Sequence, residues 1–209
     1  VSETIVGKVN RLPRDERRAQ LLTAALEVFT VSGYHAAAMD EIADRAGVSK
    51  PVLYQHFPSK LELYLAVLDL HIDSLVFAVQ RALASTHDNV QRVRATVEAY
   101  FGFVDGGSEA FRLLFENDLT TDPAVNERLT RMTYECARAV SAVIAADTDL
   151  PEESAMLLGV GLIATAQVTA RYWLERDGRL SRERACELIA NLQWRGISGF
   201  PLAEHQPLG

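Results

Sequence analysis

Apolar residues recur at helical spacing along almost the whole chain, and no stretch alternates as a half-buried strand would. Between residues 14 and 30, Leu21, Leu22, Ala25, Leu26 and Phe29 form one stripe, and Gly33 stands where a helix commonly ends. The stretch "AMDEIADRAG" (38–47) repeats the pattern through Met39, Ile42, Ala43 and Ala46, with Gly47 as its stop. A second short helix fits 49–56. Ser59 and Glu62 then make an S-x-x-E capping pattern ahead of a long apolar-periodic run over 61–83. Asp88 opens a helix to about residue 104, "DGG" breaks it, and "SEAFRLLFEND" (108–118) follows. Asp122 and Pro123 read as the N-cap and first residue of a helix to about residue 146. Pro151 begins another, to about residue 176, closed by Gly178. Ser181 caps the last, to about residue 200. The pattern predicts an all-α chain of about nine helices, with residues 1–12 a disordered basic tail and 203–209 a second tail.

The composition, 48% hydrophobic and 23% charged over 209 residues, is that of a globular protein of one or two domains. The longest apolar run, "AMLLGVGLIATA" (155–166), is shorter than the ~20 residues of a membrane span, so it predicts a buried helix and no membrane partner. No secretory signal is visible in the polar, basic start of the chain. Cys136 and Cys186 belong to no paired motif and read as reduced core thiols of a cytoplasmic protein, with a disulfide as the lesser alternative. The five histidines are scattered, and none has the H-E-x-x-H spacing of a metal site. There is no Gly-rich phosphate loop and no nucleophile motif. An enzyme is disfavoured: no catalytic residue, metal or cofactor is predicted.

The net charge of −7 is unevenly spread. Residues 1–60 hold eight basic and seven acidic residues; 61–209 hold thirteen and twenty-one. All three lysines, Lys8, Lys50 and Lys60, fall in the first part. Chance placement in an arginine-rich chain explains this as well as two functionally distinct parts do.

"GVSKPVLYQHFPSK" (47–60) tips the balance. Two short helices joined by "AGVS" and preceded by a longer one form a helix-turn-helix pattern, with Gly47 in the tight turn. Ser49 can cap the second helix, and Pro51 is tolerated only in its first turn. Leu53 and Phe57, four apart, face inward. Lys50, Val52, Tyr54, Gln55 and His56 face out, a mixture suited to a helix laid in a DNA major groove. Lys60, at the next helix start, would face a phosphate.

The segment 33–68 resembles the DNA-binding part of TetR-type transcriptional regulators, whose pattern is close to G-V-S-x-x-x-L-Y-x-H-F-x-x-K. Every fixed position is matched between Gly47 and Lys60. The resemblance implies a three-helix helix-turn-helix domain (13–60) and a C-terminal helical domain (61–202) for effector binding and dimerisation. It implies phosphate contacts from Ser49, Lys50, Tyr54, His56 and Lys60, and base contacts from Val52, Gln55 and Lys50, with Pro51 in the same surface. Ala37 and Ala38 depart from the family, which often has Thr or Ser there to cap the second helix and touch a phosphate. Arg14, Arg17 and Arg18, with Lys8 and Arg11, are candidates to compensate. A merely solvated helix start is the alternative for these arginines, as is a packing role for Tyr54.

For the second domain the resemblance implies a homodimer that reads a pseudo-palindromic double-stranded DNA operator. The dimer surface is expected on the last two helices, at Gly161, Ala164, Trp173, Leu188 and Leu192. Leu75, Val79, Leu83, Val97, Tyr100, Phe101, Val104, Phe111, Phe115, Leu129, Met132 and Cys136 form apolar stripes that are plain core or the lining of a hydrophobic effector pocket. "NRLPRDERR" and "RLLFENDL" add a likeness to the actinobacterial TetR-type regulators of fatty-acid synthesis, which implies long-chain acyl-coenzyme A as effector and control of lipid metabolism. A TetR-type repressor answering another hydrophobic ligand, as in drug efflux, and an all-α lipid-binding protein are the alternatives.

Overall fold

The structure, a computed structural model, describes residues 12–106, 119, 121–176 and 179–196. Among them are eight α-helices and no strand: α1 (Arg14–Ala36), α2 (Met39–Arg45), α3 (Lys50–His56), α4 (Lys60–Ala84), α5 (Asn89–Gly106), α6 (Pro123–Asp147), α7 (Glu152–Leu174) and α8 (Arg182–Arg195). The helix expected over 108–118, Gly178 and both tails except Leu12 lie outside the described residues. The chain divides into two compact units, 1–67 and 68–209, and the division falls within α4.

In the first unit, the main run of α1 stops at Gly33, as the sequence suggests. That residue interrupts the helix at φ 72°, ψ 166°, a conformation essentially reserved for glycine, and one more turn follows to Ala36. Phe29, Tyr34 and Tyr64 meet behind this kink, with Tyr64 edge-on to both other rings at centroid distances of 5.1 Å. Leu21, Ala25, Ile42, Leu53, Phe57 and Leu63 complete the core, so the inward face expected of α3 is buried. Gly47, at φ 63°, turns the chain from α2 towards α3, and the amides of Gly47 and Val48 close the end of α2 on the carbonyls of Asp44 and Ala43.

One capping expectation needs correction. Ser49 is the N-cap residue of α3, but its hydroxyl makes no capping bond; its carbonyl accepts from Val52 and Leu53 instead. Ala38 caps α2 without any side-chain bond, as the alanines there require. Elsewhere the caps are made. The Ser59 hydroxyl accepts from the Glu62 amide, Asp122 from Ala124 and Val125, and Ser181 from Arg184.

In the second unit, α6 and α7 join through a short connection and approach closely at Gly159. A Cβ there would lie 2.6 Å from the Ala137 carbonyl oxygen. Asp69 on α4 binds Arg128 and Arg131 on α6 at 3.1 and 2.9 Å. A cluster of Val97, Phe101, Val104, Ala170, Ala185 and Cys186 joins α5, α7 and α8. Gln193 of α8 donates to the Leu162 carbonyl of α7 at 2.8 Å. α8 ends at Arg195 on Gly196 (φ 70°), earlier than the periodicity suggests. Both cysteines are free and buried, and burial pushes each thiol up to about 11.

Candidate nucleic-acid interface and helical pockets

The outward face of α3 and the start of α1 share one groove. Leu12, Arg14, Arg17, Gly47, Val48, Ser49, Val52, Gln55 and His56 line a hollow of about 510 Å³. Six of the residues proposed from sequence for DNA contact are thus brought together. Gln20 builds this arrangement. It accepts from Arg17 and donates to the Ala46 carbonyl, both at 2.8 Å, so one carboxamide ties the arginine to the turn. Burial, then repulsion from Arg14, Arg18 and Arg17, holds the His56 imidazole below its ordinary value. Arg18 lies over the Phe57 ring at 4.6 Å, while Pro51 and Tyr54 are exposed on the same helix.

The two lysines are placed differently from the expectation. Lys50 is exposed, but its ammonium sits 2.8 Å from a carboxylate oxygen of Asp40 on α2, and this bond raises its pKa. Lys60 does not present its ammonium to a phosphate. It donates to the carbonyls of Tyr34, His35 and Ala37 at 2.8, 3.1 and 2.9 Å and sits over the Tyr34 ring. An ammonium has three hydrogens, and each has an acceptor. Lys60 therefore clamps the end of α1. Neither Asp40 nor Gln20 was visible as a site residue in the sequence, because each acts on a residue across the turn.

The effector stripes are mostly buried. Leu75, Val79, Val97, Tyr100, Phe101, Val104, Met132 and Cys136 are buried and packed, and Leu129 is half-buried. Phe111 and Phe115 lie outside the described residues. Of the stripe residues, Leu83 and Phe101 line pockets. One pocket, about 350 Å³, lies between the end of α4, the start of α5, the end of α6, and α7 and α8; its walls include Leu83, Val93, Thr96, Val140, Val143, Ile144 and Leu162. Another, about 320 Å³, has a floor of Phe101, Trp173, Leu188 and Ile189 and carries Arg176 and Arg179.

The dimerisation residues separate in the same way. Gly161 and Ala164 are exposed, and nothing lies within 4 Å of a Cβ built on Gly161. With Leu157 (74% exposed), Val168 (54%) and Tyr172 (59%) they make an uncovered stripe along α7. Leu192 is half-buried in the groove beside that stripe. Trp173 packs within the chain instead: its ring lies 5.6 Å from that of Phe101, and its Nε1 donates to the Leu180 carbonyl. Leu188 is half-buried in the pocket with it. Gly159, Ala166 and Ala170, small residues of the same run, are core.

A buried-backed short helix presented beside an arginine-bearing helix start, ahead of an all-helical unit, defines a helix-turn-helix regulator of transcription rather than an enzyme. The chain belongs to the TetR family: residues 21–67 match the bacterial regulatory proteins of that family. It is 54% identical over 193 residues to the HTH-type transcriptional activator FasR of Mycolicibacterium smegmatis, covering 92% of this chain and 88% of the relative. A TetR-like regulator from Rhodococcus sp. RHA1 superposes with a TM-score of 0.72 at 26% identity, over 91% of this chain and all of that one. FadR from Bacillus subtilis, solved with stearoyl-CoA, superposes at 0.73 and 16% identity, over 86% and 98%, a likeness of fold.

Proposed function

We propose that the chain is a cytoplasmic homodimer that reads a pseudo-palindromic operator with α3 and answers a long-chain acyl-coenzyme A, in the control of fatty-acid metabolism. The observation that carries the DNA reading is the groove in which α3 and Arg14 and Arg17 lie together. On this reading Val52 and Gln55 meet base edges, and Ser49, Tyr54, Arg14 and Arg17 meet the phosphate backbone. Two reading helices must reach successive major grooves, which needs a second copy. α7 is long and apolar enough, by length and composition alone, to cross a membrane, and only 28% of that window is buried. In a DNA-reading family the uncovered stripe at Leu157, Gly161, Ala164 and Val168 is better matched by the same stripe of a second chain.

The acyl reading is supported by the 54% identity to FasR and by the pocket of Phe101, Trp173, Leu188 and Ile189. Its apolar floor suits an acyl chain, and Arg176 and Arg179 at its edge suit phosphates. Selection from a random DNA pool should enrich a palindromic site with the wild type and none with Tyr54→Ala/Gln55→Ala. Enrichment of the same site by both would sink the α3 assignment. Saturating stearoyl-CoA should change operator affinity, and less so in Arg176→Ala/Arg179→Ala. No change would remove the acyl effector and leave the regulator.

A further inference from the structure

Seven threonines lie in the described helices, and six bond back to their own turn. Thr23, Thr30, Thr133, Thr165 and Thr169 donate to the carbonyl four residues earlier, and Thr130 meets the Asn126 side chain. Thr96 does neither. It is 6% exposed, and its Oγ1 is covered and without a partner. Burying a hydroxyl unpaired is unfavourable, when a bond to its own helix was within reach. Thr96 forms part of the wall of the 350 Å³ pocket. A turn of about 120° about its Cα–Cβ bond carries the hydroxyl to the position the methyl holds, and a helical threonine populates two rotamers.

The rest of the pocket limits what that hydroxyl could meet. The other inner walls are aliphatic: Leu83, Val93, Val140, Val143, Ile144 and Leu162. The nearby cation is engaged on every side. Arg92 Nε donates to the carbonyls of Thr86 and Leu83 at 2.8 and 3.2 Å, and Nη1 to Asn89 and Asp147 at 2.9 and 3.0 Å. Its Nη2 lies 3.4 Å from His87 Nδ1. Asp147 at the rim is the partner of that arginine. An anion entering here would find no uncommitted cation.

We propose that this pocket is a second binding site, distinct from the Arg176–Arg179 pocket. Its ligand is compact and uncharged, apolar except for one oxygen that hydrogen-bonds to the Thr96 hydroxyl. By proportion to a 150 Å³ cavity that takes benzene, it holds about a dozen non-hydrogen atoms.

The test is calorimetric titration of the full chain with 2-undecanone and with decanoate, molecules of equal size, at neutral pH. The ketone should bind the wild type, and decanoate at least about tenfold more weakly. Thr96→Val keeps the shape and deletes the hydroxyl. It should unfold at the same or a higher temperature than wild type and bind the ketone about three- to tenfold more weakly. Thr96→Ser should keep most of the affinity. The proposal is overturned if the wild type does not bind the ketone, if the valine variant binds it as well as wild type, if both variants lose equally, or if decanoate binds as tightly. Each readout is independent of stearoyl-CoA.

Discussion

Replacing Lys60 with methionine separates two roles that the sequence alone cannot. The ammonium holds three carbonyl oxygens at the kinked end of α1 and sits 4.6 Å above the Tyr34 ring centroid. Methionine keeps an apolar stem over that ring and removes the charge. A hydrogen bond to a charged group is worth about 1.5–3 kcal/mol. Here three share one ammonium at a half-buried position, where water takes up part of the loss. The cation–π contact adds about 0.5–1 kcal/mol. A net loss of about 3 kcal/mol follows, or about 6–12 °C in Tm for a chain of this length. Urea unfolding followed by circular dichroism should show a lower midpoint at unchanged slope. The reasoning fails if stability stays within about 0.5 kcal/mol of wild type while the salt dependence of operator binding weakens by about one phosphate. That result would return Lys60 to the DNA.

Three further substitutions probe other joints. Gly159→Ala forces a methyl to within 2.6 Å of the Ala137 carbonyl, so overpacking of about 1–3 kcal/mol outweighs a helix-propensity gain of about 1. Thermal unfolding should show a loss there and none for Gly161→Ala, and equal behaviour would refute the close approach. His56 is held below its ordinary value in the free protein, so its contribution to stability is present above about pH 6.5 and is lost as pH falls through the folded value. A docked phosphate would raise that value, so operator affinity should rise with acidity in wild type but not in His56→Gln, and parallel pH profiles would take His56 off the interface. Asp40→Asn releases Lys50 and should steepen the salt dependence of non-specific DNA binding by about 0.9 per subunit, whereas an unchanged slope would mean the pair already opens on DNA.

What could be read from sequence was what depends on near neighbours. The burial of Leu53 and Phe57, the turn at Gly47 and the caps at Asp122 and Ser181 rest on residues two to four apart, and these are found in the structure. Contacts across the fold were illegible. Lys60 reaches carbonyls more than twenty residues away, and nothing local distinguishes it from a lysine facing a phosphate. The apolar stripes are ambiguous for a related reason. Periodicity shows that a face is buried but not against what, so Val97, Met132 and Cys136 looked as suited to a ligand as to one another. Thr96 carries no signal at all in sequence, because its unusual property is a bond it does not make. Gly159 and Gly161 sit two apart, identical in sequence terms, yet one touches a carbonyl and the other faces open space.

The partnering of cations around α3 has a consequence for how this face selects DNA. Lys60 holds carbonyls, Lys50 is paired with Asp40, and Arg45 is paired with Glu27 at 2.8 Å. Arg17 is held by Gln20, and Arg18 rests on Phe57. Of the cations described in the first unit, Arg14 is then the least committed, and a phosphate contact by Lys50 or Lys60 must first break an internal bond. Non-specific affinity comes almost entirely from phosphate contacts, so it should be weak at physiological salt. The base contacts proposed for Val52 and Gln55 need no internal ion pair to open. A correct sequence that seats these two side chains can also offset the opening of Lys50 from Asp40, whereas a random sequence cannot. The internal pairs thus lower affinity for every sequence alike, so at physiological salt stable binding falls to the operator, whose base contacts add to the phosphate contacts.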